Sequence, residues 1–99
     1  LVYLKVNYSS KKDYEKLRDD LKKYQKWPSD YIFKFIILNE LNKIEDLLSK
    51  FDLKKCRVSK KESSNKKYIS ITIIKHMKNP DEVINKYIDV SKIDGIISL

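Results

Sequence analysis

Residues 31–38 read Tyr31-Ile32-Phe33-Lys34-Phe35-Ile36-Ile37-Leu38, the most apolar run in the chain, with no Gly or Pro. Nearly every position is β-branched or aromatic, which suits a pleated, packed surface. The odd positions carry Tyr31, Phe33, Phe35 and Ile37, and the even positions Ile32, Lys34, Ile36 and Leu38. Both faces are largely apolar, so the spacing predicts a central strand covered on both sides.

The segments around this run read as its covering. Residues 39–51 predict a helix with Asn39 as N-cap, Glu40 at the positive N-terminus, and Leu41, Ile44, Leu47, Leu48 and Phe51 on one face. Upstream, residues 10–26 predict a helix with Ser10 as N-cap and a narrow stripe of Tyr14, Leu17, Leu21 and Tyr24. A stripe that narrow lies on something, either the sheet of its own chain or a partner. Trp27-Pro28-Ser29-Asp30 stops that helix, because proline disfavours the helical region for the residue before it. The lone tryptophan reads as a plug at the strand entrance.

Downstream, residues 53–60 predict an edge strand, since Leu53, Cys56 and Val58 stand among basic residues. Residues 67–76 predict a clear strand with Ile69, Ile71 and Ile73 on one face and Tyr68, Ser70, Thr72, Ile74 and His76 on the other. A turn around residues 62–66 joins the two. Asn79-Pro80-Asp81-Glu82 opens a helix to about Val90, with N-cap, first-turn proline and two acids; Val83, Ile84, Tyr87 and Ile88 are its expected buried residues. Gly95, the only glycine, precedes a last strand over residues 96–99.

From residue 27 the order is strand, helix, strand, strand, helix, strand. This is the ferredoxin-like βαββαβ pattern of the α+β class, a four-stranded antiparallel sheet with two helices on one face. The expected division is an N-terminal extension with an amphipathic helix (residues 1–26) and a ferredoxin-like domain (residues 27–99). The helix-facing core is expected at Phe33, Phe35, Ile37, Ile69, Ile71 and Ile73. The other face, with Ile32, Lys34, Ile36, Tyr68, Ser70, Thr72 and Ile74, is too apolar to stand bare. The N-terminal helix, a second copy or a ligand is expected over it, with an apolar groove at Ile32, Ile36 and Ile74.

Several short stretches, in the right order, resemble the YbeD-like family. Trp27-Pro28-Ser29-Asp30-Tyr31-Ile32-Phe33-Lys34-Phe35-Ile36 resembles the family's opening strand. Ser63 to Ser70, ending Tyr68-Ile69-Ser70, resembles its hairpin motif of Ser, Gly, Tyr and Ser. Asn79-Pro80-Asp81-Glu82-Val83 and Asp94-Gly95-Ile96-Ile97-Ser98-Leu99 also fit. The resemblance covers residues 27–99. Lys66 stands where the family usually has glycine, so Asn65 is expected to supply the positive φ, or the turn to be longer. The resemblance implies a fold similar to ACT regulatory domains and a link to lipoate metabolism, with a lipoyl or octanoyl chain, or a protein bearing one, as ligand. It transfers no catalytic residue. Trp27, Phe33, Lys34, Ser63, Tyr68 and Ser70 are motif positions of unassigned role.

The composition is that of a globular chain: 99 residues make one domain with a single core, and 41% apolar with 36% charged residues is neither disordered nor fibrous. No run nears the roughly 18–20 apolar residues of a membrane span. Residues 1–8 are too short for a signal-peptide core. The first residue is leucine, not methionine, and residues 1–9 weigh little in the fold reading. A single cysteine allows no internal disulfide, so the cytoplasm is the expected compartment.

The net charge of +8 is local: residues 54–67 hold six lysines and one arginine against Glu62. Lys60, Lys61, Lys66 and Lys67 are the candidate phosphate contacts of a nucleic-acid reading. That reading ranks second, because lysines outnumber arginines twenty to two, and arginine is the residue suited to bidentate phosphate contact.

Catalysis finds no constellation. Cys56 and His76 are the only nucleophile and base candidates; the expected hairpin puts Cys56 opposite residues 71–73, away from His76. The acid pairs Asp19-Asp20, Glu45-Asp46 and Asp81-Glu82 are adjacent on helices and do not face one another. No metal site or cofactor is expected. The function expected is a non-catalytic regulatory or interaction module. Its partner is a protein or small molecule, a homodimer being one arrangement, and no membrane is involved. Single-stranded nucleic-acid binding through residues 54–67 and the sheet face is the alternative.

Overall fold

The structure, a computed structural model, describes residues 11–99. Its elements are α1 (Lys11–Tyr24), β1 (Ser29–Leu38), α2 (Leu41–Ser49), β2 (Cys56–Glu62), β3 (Tyr68–Met77), α3 (Pro80–Val90) and β4 (Ile97–Ser98). The four strands form one antiparallel sheet in the order β2-β3-β1-β4. This α+β arrangement is compatible with a ferredoxin-like fold. No helix among the described residues is long and apolar enough to cross a membrane.

Alternation drives the packing. Phe33, Phe35 and Ile37 of β1 and Ile69, Ile71 and Ile73 of β3 are all buried, on one face, as their period of two requires. Leu47 of α2, Phe51 just after it, and Val83, Ile84, Tyr87 and Val90 of α3 close over them. Phe33 is the hub: the rings of Tyr31, Tyr87 and Phe51 stand 4.8, 5.2 and 5.4 Å from its own, all edge-on. Asn79 caps α3 as its sequence requires, its Oδ1 accepting from the Glu82 amide at 2.9 Å.

The N-terminal helix does not lie on the sheet. α1 packs beside α3, on the helical side, and Tyr14 joins the buried cluster with Leu17 and Leu21 against it. A stripe of three or four apolar residues fits another helix as well as a sheet, so its spacing alone cannot choose. The Ser10 cap lies outside the described residues. Trp27 ties the end of α1 to the start of β1: its Nε1 donates to the Leu21 carbonyl at 3.0 Å.

The ends of the apolar stripes differ from expectation. Tyr24, Leu41 and Ile88 are exposed, and Val90 is buried in the place foreseen for Ile88. Asn39 does not cap α2; Glu40 holds the N-cap position without a side-chain bond. The Asn39 amide instead donates to the Lys66 carbonyl at 3.1 Å and to Glu62 Oε2 at 3.3 Å, fastening the end of β1 to the hairpin.

The hairpin also turns later than expected. Ser63 and Tyr68 close the loop, the Ser63 amide donating to the Tyr68 carbonyl at 2.9 Å. Each residue by which a turn moves shifts the pairing by two, so Cys56 pairs with Lys75 rather than with residues 71–73. Cys56 and Val58 set which face of β2 meets the core, but a slip of two residues leaves that face unchanged, so the sequence could not set the register. The positive φ falls on Lys66 itself, at 60°, not on Asn65. Asn65 is engaged through its side chain: Oδ1 accepts from the Lys67 amide at 3.0 Å and from Ser63 Oγ at 2.9 Å.

Candidate interaction face

The even residues of β1 and β3 build the sheet face turned away from the helices. Ile32 stands opposite Ile74, Lys34 opposite Thr72, Ile36 opposite Ser70, and Leu38 opposite Tyr68. β4 adds Ile97 beside Ile36, and β2 adds Arg57, Ser59 and Lys61. No described element covers this face. Ile32 is 61% exposed, and Tyr68 and Ile97 are exposed at its other end. The apolar residues foreseen at Ile32, Ile36 and Ile74 therefore share one face, but α1 is not their roof. The groove expected between that helix and the sheet is replaced by an open surface.

The motif positions divide between the two sides. Phe33 is wholly buried and Trp27 packs at the rim of the same core. Lys34, Tyr68 and Ser70 stand on the open face. Ser63, Tyr68 and Ser70 converge with Ile36 and Lys61 around one concavity of about 190 Å³ below the hairpin turn. Its hydroxyls are already engaged. Ser63 Oγ accepts from the Tyr68 amide at 3.1 Å, and Ser70 Oγ donates to the Lys61 carbonyl at 3.4 Å.

The four lysines named as phosphate contacts do not act from one side. Lys61 shares the open face with Ser70, whereas Lys60 pairs with Ile71 and projects to the helical side. Lys66 and Lys67 lie in the turn, the Lys67 ammonium 5.6 Å from the Tyr68 ring centre.

Cys56 comes nearer to His76 in register than expected, yet the two side chains leave opposite faces. Cys56 packs against the core beside Lys75. Burial pushes its thiol above the ordinary value of 9.0, Lys75 pulls it down less strongly, Asp52 pushes it up, and Lys86 pulls it down. A thiol held protonated is a poor nucleophile. His76 sits on the open face, Nδ1 3.0 Å from Asp30 Oδ1, with Arg57 3.7 Å from the other carboxylate oxygen. All three are well exposed, so the cluster is a surface ion network. Among the described residues no three His, Cys, Asp or Glu side chains are grouped as metal ligands.

A larger cleft of about 500 Å³ runs between α1 and α3, lined by Tyr14, Ile84 and Ile88. The Arg18–Asp81 pair spans it at 3.8 Å. Lys11 and Arg18 are matched there by Glu15 and Asp81, so the lining selects no charge. The residues of the open face were legible in advance, but neither this cleft nor the absence of α1 from that face was, because both depend on where α1 docks.

A comparison with protein-family models, with curated proteins and with solved structures finds no match to this chain.

Proposed function

We propose that this chain is a non-catalytic regulatory or interaction module of ferredoxin-like, ACT-like fold, and that it works through the open face of its sheet. The observation that carries the reading is the aliphatic pair Ile32, which is exposed, and Ile74, which is half-buried, directly opposite on adjacent central strands with no described element over them. Contiguous apolar surface of this kind marks contact sites. The resemblance to the YbeD-like family supports the same class and adds a lipoyl or octanoyl chain, or a protein bearing one, as ligand. Under this reading the chain needs no cofactor and acts in the cytoplasm.

One observation favours a second reading, single-stranded nucleic-acid binding. The sheet face that such proteins use is uncovered here, and Tyr68 stands exposed on it beside Lys61 and Lys67. One aromatic is a thin stacking platform, so this reading stays second.

A thermal-shift panel of lipoate, octanoate, several amino acids and a single-stranded oligonucleotide tests both, run on the native chain and on Ile32→Lys/Ile74→Lys. A ligand of the folded state at about 100 times its Kd adds about 2.7 kcal/mol. A shift with lipoate or octanoate that the double variant loses supports the module. A shift only with the oligonucleotide, fading with salt, supports the second reading. A shift that the double variant fully retains places the site elsewhere and removes the proposal.

A further inference from the structure

We propose that the concavity below the hairpin turn seats one apolar side chain of an acidic segment of another protein. The inference rests on the open face being the contact surface and says what kind of partner meets it.

Size decides first. Small-molecule sites run to about 300–1,000 Å³, and about 190 Å³ falls short of that. It is room for one side chain, such as leucine or phenylalanine. The walls decide next. Ile36, the Tyr68 ring and the stem of Lys61 present hydrocarbon, while the hydroxyls of Ser63 and Ser70 are spent on Asn65, the Tyr68 amide and the Lys61 carbonyl. Both serine hydroxyls are thus already engaged and do little to select a polar guest. The floor continues into Ile97, paired with Ile36, so an incoming segment meets more aliphatic surface along the face.

Charge sets the rest of the partner. Lys61 and Glu62 line the concavity, and Lys66 and Lys67 stand in the turn above it, so cations outnumber acids there three to one. Glu62, the one acid at the turn, is bonded to Asn39. A flanking carboxylate on the partner meets several cations within a Debye length of about 8–10 Å. A second copy brings the same cations and a net charge of +8 of its own, which opposes self-association. A nucleic acid would satisfy the charge but not the aliphatic floor.

The test is an amide-shift titration of the full 15N-labelled chain at 50 and 300 mM salt. The probes are nonapeptides with a central leucine or phenylalanine flanked by glutamates, the same peptide with central serine, the same with flanking lysines, and oligouridylate. The expected result is shifts at residues 36, 61, 63, 68 and 70 with the leucine or phenylalanine peptide. Binding should weaken at least fivefold at the higher salt and at least fivefold in Lys61→Glu, an exposed site whose fold the same spectrum verifies. The serine and lysine peptides should bind at least tenfold more weakly. Equal binding of the serine peptide, tighter binding of oligouridylate, or no shift with any peptide at millimolar concentration overturns the inference. So do concentration-dependent shifts of these amides without peptide, which assign the face to a second copy. Shifts confined to residues 32 and 74 overturn it while leaving the open face as contact surface; shifts confined to α1 and α3 remove both.

Discussion

The hydroxyls of Tyr31 and Tyr87 are hydrogen-bonded at 2.9 Å, joining β1 to α3 across the core, with the two rings perpendicular at 6.1 Å. Tyr87 is almost wholly buried, so its hydroxyl has left water and depends on protein partners. Tyr87→Phe should lower stability by about 1 kcal/mol. Adding Tyr31→Phe should cost less than its own single effect, because neither hydroxyl is then stranded. A double-mutant cycle by urea denaturation reads the coupling, expected at about 0.5–1 kcal/mol. Strictly additive losses would show that the two hydroxyls do not act as a pair.

Phe33 and its chain neighbour Ile32 should respond in opposite ways. Phe33 meets the rings of Tyr31, Phe35, Phe51 and Tyr87 and no solvent, and Phe33→Ala should cost about 3–5 kcal/mol. Ile32 is mostly in solvent, and Ile32→Lys should change stability by no more than about 0.5 kcal/mol. Thermal melts of the two variants check this. A large loss from Ile32→Lys would mean that the open face is packed against something in the free chain.

Lys66 holds φ at 60°, a conformation that costs a side-chain-bearing residue about 1–2 kcal/mol. Glycine removes that strain but loses roughly 0.5–1 kcal/mol to its freer unfolded chain. Lys66→Gly should therefore stabilise by about 0.5–1 kcal/mol, a rise of roughly 3–6 °C in Tm. Lys66→Ile should lower Tm instead. Calorimetry on the pair decides it, and a fall with glycine would refute the turn geometry.

Burial, the largest influence on Cys56, disfavours its thiolate and raises its pKa above 9.0. The unfolded chain therefore loses the thiol proton first as pH rises. The stabilising contribution is complete below the ordinary thiol range and is lost as pH climbs through 9 toward the folded value. Stability measured from pH 7 to 10.5 should fall more steeply in the native chain than in Cys56→Ser. Iodoacetamide at pH 8 should label the folded protein more slowly than the urea-unfolded one. Equal labelling rates would contradict a partly buried thiol with a raised pKa.

What the sequence makes legible follows from how locally each feature is determined. The alternation at Phe33, Phe35, Ile37 and at Ile69, Ile71, Ile73 names the buried face correctly, because a period of two admits one phase per strand. Asn79-Pro80 fixes the start of α3 by cap chemistry alone. The docking of α1 is a tertiary choice between surfaces that its stripe fits equally. The β2–β3 register fails for a related reason: Cys56 and Val58 fix the face of the strand, but alternation cannot tell registers two residues apart. Asn39 and Asn65 are polar residues with two uses each, and only the neighbouring backbone decides which prevails. The concavity at Ser63, Tyr68 and Ser70 needs all of these at once, which is why its three motif positions were visible as residues but not as a place.

The bond from the Trp27 indole to the Leu21 carbonyl makes the chain's one tryptophan an optical reporter of a single joint. Its emission follows the junction of α1 with β1, while the far-ultraviolet signal sums over every helix and strand. If α1 lifts from α3 while the sheet holds, the fluorescence will redden ahead of the dichroism. A coincident transition will mean that the first helix melts with the sheet as one cooperative unit.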